Sequence, residues 1–113
     1  GAIQIDADTP SLMQEAVTEL MTTIMENNSL ASSDLISVLF TCTPDLVSDF
    51  PAASARAMGL GAVPLLCAVE MAVPASLPRT IRVMVHCVTA RSQAEISHTY
   101  LRGATVLRRD LAQ

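Results

Sequence analysis

The sequence predicts a single α+β (α/β-like) domain over residues 1–113, with one long helix, one short helix and several short strands. Three observations carry this expectation. Residues 12–25 hold an apolar stripe at helical spacing, residues 35–40 form a near-continuous apolar run, and residues 80–89 alternate with a period of two. Half of the residues are apolar and 16% are charged, which supplies a core and excludes a disordered chain.

Taken in order, residues 1–6 alternate and make a short strand with Ile3 and Ile5 on one face. Thr9 can cap a following helix, and Pro10 fits its first position, where a missing N–H costs nothing. Leu12, Met13, Ala16, Val17, Leu20, Met21, Ile24 and Met25 form the stripe of that helix, and Asn27-Asn28 ends it. Leu35 to Phe40 reads as a buried strand, and the helix before it suggests a βαβ unit with the first strand. Thr43-Pro44-Asp45 breaks the strand. Residues 50–58 read as a second, short helix closed by Gly59, and residues 63–68 as a third strand. Residues 80–89 are the clearest strand, with Ile81, Val83, Val85 and Cys87 on one face and Arg82, Met84, His86 and Val88 on the other. Residues 96–101 suggest a last strand, and residues 104–107 fit either type.

Charge placement narrows the function classes. The formal net charge is −4, all seven basic residues are arginine, and none precedes Arg56. Eight of the eleven acids lie in residues 1–50. Such a chain lacks the basic surface that bulk nucleic-acid binding needs, and Phe40, Phe50 and Tyr100 are too few aromatic rings for stacking on single strands. Arginines confined to the second half suit discrete anion contacts, because a planar guanidinium grips carboxylates bidentately. No apolar run approaches the roughly 20 residues of a membrane span, and no signal-peptide pattern is present. Three cysteines without metal or redox spacing agree with a reduced, cytoplasmic setting. High apolar content with low charge points to hydrophobic surface covered by another subunit.

Considered singly, the polar residues have ordinary explanations. Arg82 stands in mid-strand, where a solvated sheet face accounts for it, as would an anion. Glu70 is the only acid between Asp49 and Glu95; an ion pair would explain it. Arg56 favours a helix C-terminus, Arg108 and Arg109 read as a solvated tail, and Cys67 as a small buried hydrophobe. His86 and His98 lack a metal-ligand spacing, and Tyr100 fits either the core or a hydroxyl donor.

Together they form a pattern. Gly1-Ala2 with Asp8-Thr9, Thr43-Pro44-Asp45-Leu46, and Phe50-Pro51-Ala52 with Arg56 come first. Val63-Pro64 with Cys67 and Glu70-Met71, Ile81-Arg82-Val83-Met84, His98-Thr99-Tyr100-Leu101, and Val106-Leu107-Arg108 with Asp110-Leu111 follow. In this order the strings resemble the monofunctional AroH-class chorismate mutases along almost the whole chain. The resemblance implies a mixed sheet packed on the two helices, a homotrimer forming a pseudo-α/β barrel, and active sites between subunits. It implies the rearrangement of chorismate to prephenate, an intramolecular Claisen reaction that uses no cofactor, no metal and no covalent step.

What the resemblance implies for single residues follows the same strings. Arg82 resembles the arginine that meets the ether oxygen and a carboxylate; Glu70 resembles the acceptor for the ring hydroxyl, with Cys67 beside it. Tyr100 resembles the donor to the side-chain carboxylate. Phe50, Ala52 and Leu107 resemble apolar walls, and Arg56 and Arg108 outer arginines that attract the dianion. Arg79, Arg91, Arg102 and Arg109 are left as surface candidates. The family pattern also places a substrate-contacting arginine immediately before the Gly-Ala pair. The sequence begins at Gly1, so that position falls outside it; a longer protein is the expectation, with a charge supplied otherwise, or weaker activity, as the alternatives. Two rival readings are an imine or enamine deaminase of the RidA type, which also has interfacial arginines, and a non-catalytic trimer that binds a carboxylate metabolite.

Overall fold

In the computed structural model, which describes residues 1–111, a five-stranded mixed sheet carries both helices on one face. Strand β1 (Ala2–Gln4) leads to helix α1 (Pro10–Asn27). Thr9 caps α1 from extended backbone, its Oγ1 accepting the Leu12 N–H at 3.2 Å, and Pro10 occupies the first turn. Met13, Ala16, Val17, Leu20, Met21 and Ile24 are the buried stripe of α1. They pack on Ile3, Ile5, Val38, Phe40, Ile81 and Val83 from the sheet, which makes one continuous core.

The end of α1 is more elaborate than two asparagines suggest. Asn28 is buried, and its Nδ2 donates to the carbonyl oxygens of Ile24 (2.9 Å) and Ser97 (2.8 Å). Its Oδ1 accepts the Ser97 N–H at 2.8 Å, while Arg91 Nη1 donates to the Asn27 carbonyl at 2.8 Å. The helix end is thus tied to residues 91–97, and those orphan carbonyls are satisfied.

Strand β2 (Leu35–Cys42) runs two residues past the expected end, and β3 (Leu65–Val69) pairs with it in parallel. Between them lies α2 (Pro51–Ala55), which continues into a wide turn over Arg56–Leu60, kinked at Gly59, whose φ of +104° suits glycine. Strand β4 (Thr80–Cys87) is antiparallel to both β2 and β1, and β5 (Tyr100–Leu101) is parallel to β1. The sheet order is β3-β2-β4-β1-β5.

Two expectations change. The first strand, α1 and β2 do form a βαβ path, but β4 is inserted between β1 and β2, so these strands are not neighbours. The adjacent parallel pair bridged by a helix is β2-α2-β3. The final strand is also shorter than residues 96–101. Ser92 and Glu95 close a reciprocal cap on a turn at Gln93–Glu95, and Ser97 is held by Asn28, so pairing starts only at Tyr100. Residues 104–107 belong to a 3-10 turn, Arg102–Leu107, that leads the chain back over the sheet. Among the described residues no helix is long and apolar enough to cross a membrane.

Candidate active site

Strand alternation decides which side chains reach the free face of the sheet. Ile81 and Val83 enter the core beneath α1, so Arg82 and Met84 point away from it. Register then sets the neighbours of Arg82. Ala68 of β3 lies opposite Thr41 of β2, Thr41 opposite Arg82 of β4, Arg82 opposite Ala2 of β1, and Ala2 opposite Tyr100 of β5. One transverse row therefore crosses all five strands with Arg82 in the middle.

The Thr43-Pro44-Asp45 turn helps hold that register. Thr43 Oγ1 accepts the Thr80 N–H at 3.0 Å, and the Asp45 carboxylate accepts the Arg79 N–H at 3.0 and 3.2 Å. The end of β2 is thereby fastened to the start of β4, two residues from Arg82.

A cavity of about 430 Å³ opens over this row, lined by Thr41, Glu70, Arg82, Tyr100, His98 and Arg108 among others. Glu70 follows β3, and its N–H donates to the Cys42 carbonyl at 2.8 Å, pinning its backbone beside β2. Its carboxylate turns back along the free face. Thr41 Oγ1 donates to Oε2 at 2.6 Å, and Arg82 Nη1 lies 3.8 Å from Oε1. That ion pair is loose, with Arg82 46% and Glu70 28% exposed, so the guanidinium remains available to a ligand.

Tyr100 is buried in a small second cluster with Ala2 and Ala104, against which Leu77, Leu107 and Leu111 pack. The returning chain after β5 thus forms one wall of the cavity. Arg108 stands on that wall and grips Asp110 bidentately, at 3.1 Å from Nε and 2.9 Å from Nη2. The hydrogen bonds from Arg108 hold the Asp110 carboxyl below its ordinary pKa.

The remaining expected site residues lie elsewhere. Leu107 lines a neighbouring recess of about 260 Å³ that shares Glu70 and Arg82 with the main cavity. Phe50 and Cys67 line a separate cavity of about 330 Å³, together with Cys42, Val69 and the chain leading into α2. Ala52 is buried in α2, and Arg56 is exposed just beyond it. Cys67 and Glu70 are therefore not side by side. Cys67 packs against the core on the helix-bearing face, while Glu70 reaches the free face. A separation of three residues along an extended chain is itself a signal for opposite faces.

Three of the other arginines have structural partners, and Arg109 is exposed. Arg79 Nε donates to the Ile5 carbonyl at 2.9 Å, Arg91 caps α1, and Arg102 lies 3.8 Å from Glu15 and 3.5 Å from Glu19. Thr41, Leu39 and His98 line the main cavity without having been expected there. Gly1 also lines it, and its nitrogen donates to the Val83 carbonyl at 3.0 Å. Among the described residues, no three His, Cys, Asp or Glu side chains group as a metal centre requires.

Comparison with known proteins identifies the family. The family described as chorismate mutase type I matches residues 1–111. Chorismate mutase AroH of Thermus thermophilus is 46% identical over 112 residues, covering 98% of this chain and 92% of that protein. Its namesake from Bacillus subtilis (strain 168) is 36% identical over 113 residues, covering 99% and 89%. Among solved structures, a chorismate mutase from Clostridium thermocellum superposes with a TM-score of 0.92 at 40% identity, covering 94% of this chain and 95% of that one. Sequence and fold agree, and the chain belongs to the type I chorismate mutase family.

Proposed function

We propose that this protein converts chorismate to prephenate, as a single-domain enzyme acting in a homotrimer whose sites lie between subunits. The observation that carries the reading is the placement of Arg82, Glu70 and Tyr100 around one cavity on the free face of the sheet. The substrate is a dianion with a flexible enolpyruvyl ether and a ring hydroxyl. Its rearrangement breaks the ether C–O bond while a C–C bond forms within the same molecule, so no group of the protein need exchange atoms with it.

The protein's tasks are then restraint and electrostatics. Arg82 donates to the ether oxygen as negative charge develops there, and to a nearby carboxylate. Glu70 accepts from the ring hydroxyl, Tyr100 donates to the side-chain carboxylate, and Arg108 exchanges Asp110 for substrate as the site fills. Leu107 bounds the folded arm, keeping the reacting carbons in proximity.

Within one chain the expected residues fall into two sets. Arg82, Glu70, Tyr100, Leu107 and Arg108 belong to one, and Phe50, Ala52, Arg56 and Cys67 to the other. Two subunits contributing one set each would complete the site. The free sheet face supports such an assembly, since Leu66, Leu39 and Met84 form an apolar row beside the Arg82 row, with Leu66 64% and Met84 59% exposed. Phe50, 68% exposed, is likewise bare in the single chain. No feature of the site favours imine chemistry, and the family assignment leaves that alternative without support.

The test follows chorismate loss and prephenate formation, using this chain and a version with arginine placed before Gly1. Turnover by either supports the reading, and none by both overturns it. Interfacial sites are tested separately. Arg82→Ala and Phe50→Asp, each inactive alone, should regain activity when unfolded and refolded together. No recovery in a mixed trimer would refute the two-subunit site.

A further inference from the structure

The hydroxyl of Thr41 is the least explained polar group in the cavity. It takes no part in the family pattern quoted above, yet it makes a 2.6 Å hydrogen bond to the Glu70 carboxylate. A hydroxyl-to-carboxylate contact at that distance is charge-assisted and well above an ordinary hydrogen bond in strength. Thr41 stands directly opposite Arg82, and the small Ala68 on its other side leaves room for Glu70 to fold back over the strand.

The carboxylate is consequently held from two directions. Its backbone is fixed by the bond to Cys42, and Oε2 is fixed by Thr41. Oε1 is left 3.8 Å from Arg82, about 1 Å longer than a closed bidentate pair. Without the hydroxyl, the carboxylate would lose its side-chain hydrogen bond to β2, leaving only its backbone anchor against closure onto the guanidinium. Arg82 would then be partly neutralised and turned away from the position where oxygen gains charge.

We propose that Thr41 is a positioning residue that acts through Glu70, keeping the carboxylate apart from Arg82 so that both remain available to substrate. This rests on the mutase reading. The role is expressed mainly in the transition state, when the demand on Arg82 is greatest, so its loss affects kcat more than KM.

Thr41→Val keeps shape and strand preference while removing the hydroxyl, at a half-exposed position that tolerates the change. Its kcat should fall about tenfold with KM within about threefold. Thr41→Ser should recover most of the loss. In a Glu70→Ala background the Val substitution should change kcat by less than about twofold, because the group it acts through is gone. An unchanged kcat in Thr41→Val, or an equal loss in the Glu70→Ala background, overturns the proposal. A crystal structure of Thr41→Val provides a readout independent of turnover: Glu70 should close into direct contact with Arg82, and an unmoved Glu70 overturns the proposal. Absence of turnover by the unmodified chain and by the version with the added arginine would instead sink the mutase reading itself.

Discussion

Replacing Arg82 with alanine tests the catalytic role proposed for its guanidinium. The guanidinium sits in mid-strand on a half-exposed face, where an effective dielectric near 20 applies. With about half an elementary charge developing on the ether oxygen roughly 3 Å away, Coulomb's law gives about 3 kcal/mol of transition-state stabilisation. That corresponds to about a hundredfold in rate, within the range of about 10²–10³ for loss of one preorganised donor. The fold should survive, because the 3.8 Å contact with Glu70 is loose and partly solvated, and such pairs contribute at most about 1 kcal/mol. The assay is continuous chorismate loss, paired with thermal melting of the same samples. Arg82→Ala should lose at least a hundredfold in kcat while retaining a cooperative melt. Semisynthetic replacement of Arg82 by citrulline, which keeps the shape but removes the charge, should lose nearly as much. A loss below tenfold in a folded variant would refute the assignment, and full activity with citrulline would refute the charge argument specifically.

Three further outcomes are expected. Leu66→Asp puts a charge into the apolar row Leu66–Leu39–Met84 and should prevent formation of the proposed homotrimer, read as a monomer in sedimentation with activity lost alongside it. Burial raises the Cys42 thiol from 9.0 to about 12. The unfolded chain therefore loses that proton first, and the melting temperature should fall as pH rises above about 9; Cys42→Ala should flatten this dependence, and an unchanged slope would contradict it. Asn28→Ala removes the side-chain hydrogen bonds that tie the end of α1 to the Ser97 backbone and should cost about 1–2 kcal/mol, seen as a lower urea midpoint.

Local patterns revealed much of this fold, and pairing revealed the rest. Thr9, Pro10 and the stripe from Met13 to Ile24 define α1 because capping and helical periodicity are properties of adjacent residues. The insertion of β4 between β1 and β2 is not such a property, since antiparallel strands far apart in sequence carry no local mark of their partner. The same division holds in the site. Arg82 is conspicuous in the sequence because a charge interrupts an apolar strand, whereas Thr41 looks like any strand threonine until register places it opposite that charge. Cys67 and Glu70 are close in sequence, yet the two-residue period of the chain sends them to different faces of the sheet.

The central place of β4 also shapes how the chain folds. During synthesis, β1, α1 and β2 emerge long before Thr80–Cys87, the strand that must pair with both β1 and β2. Until then β1 has neither of its sheet neighbours, because β5 arrives later still. Acquisition of the native sheet is consequently a late, non-local event, which favours slow folding for a domain of this size and leaves strand edges open to wrong partners in the interval. Substitutions that weaken β4 should therefore lower the yield of folded protein in cells more than their effect on equilibrium stability alone would indicate.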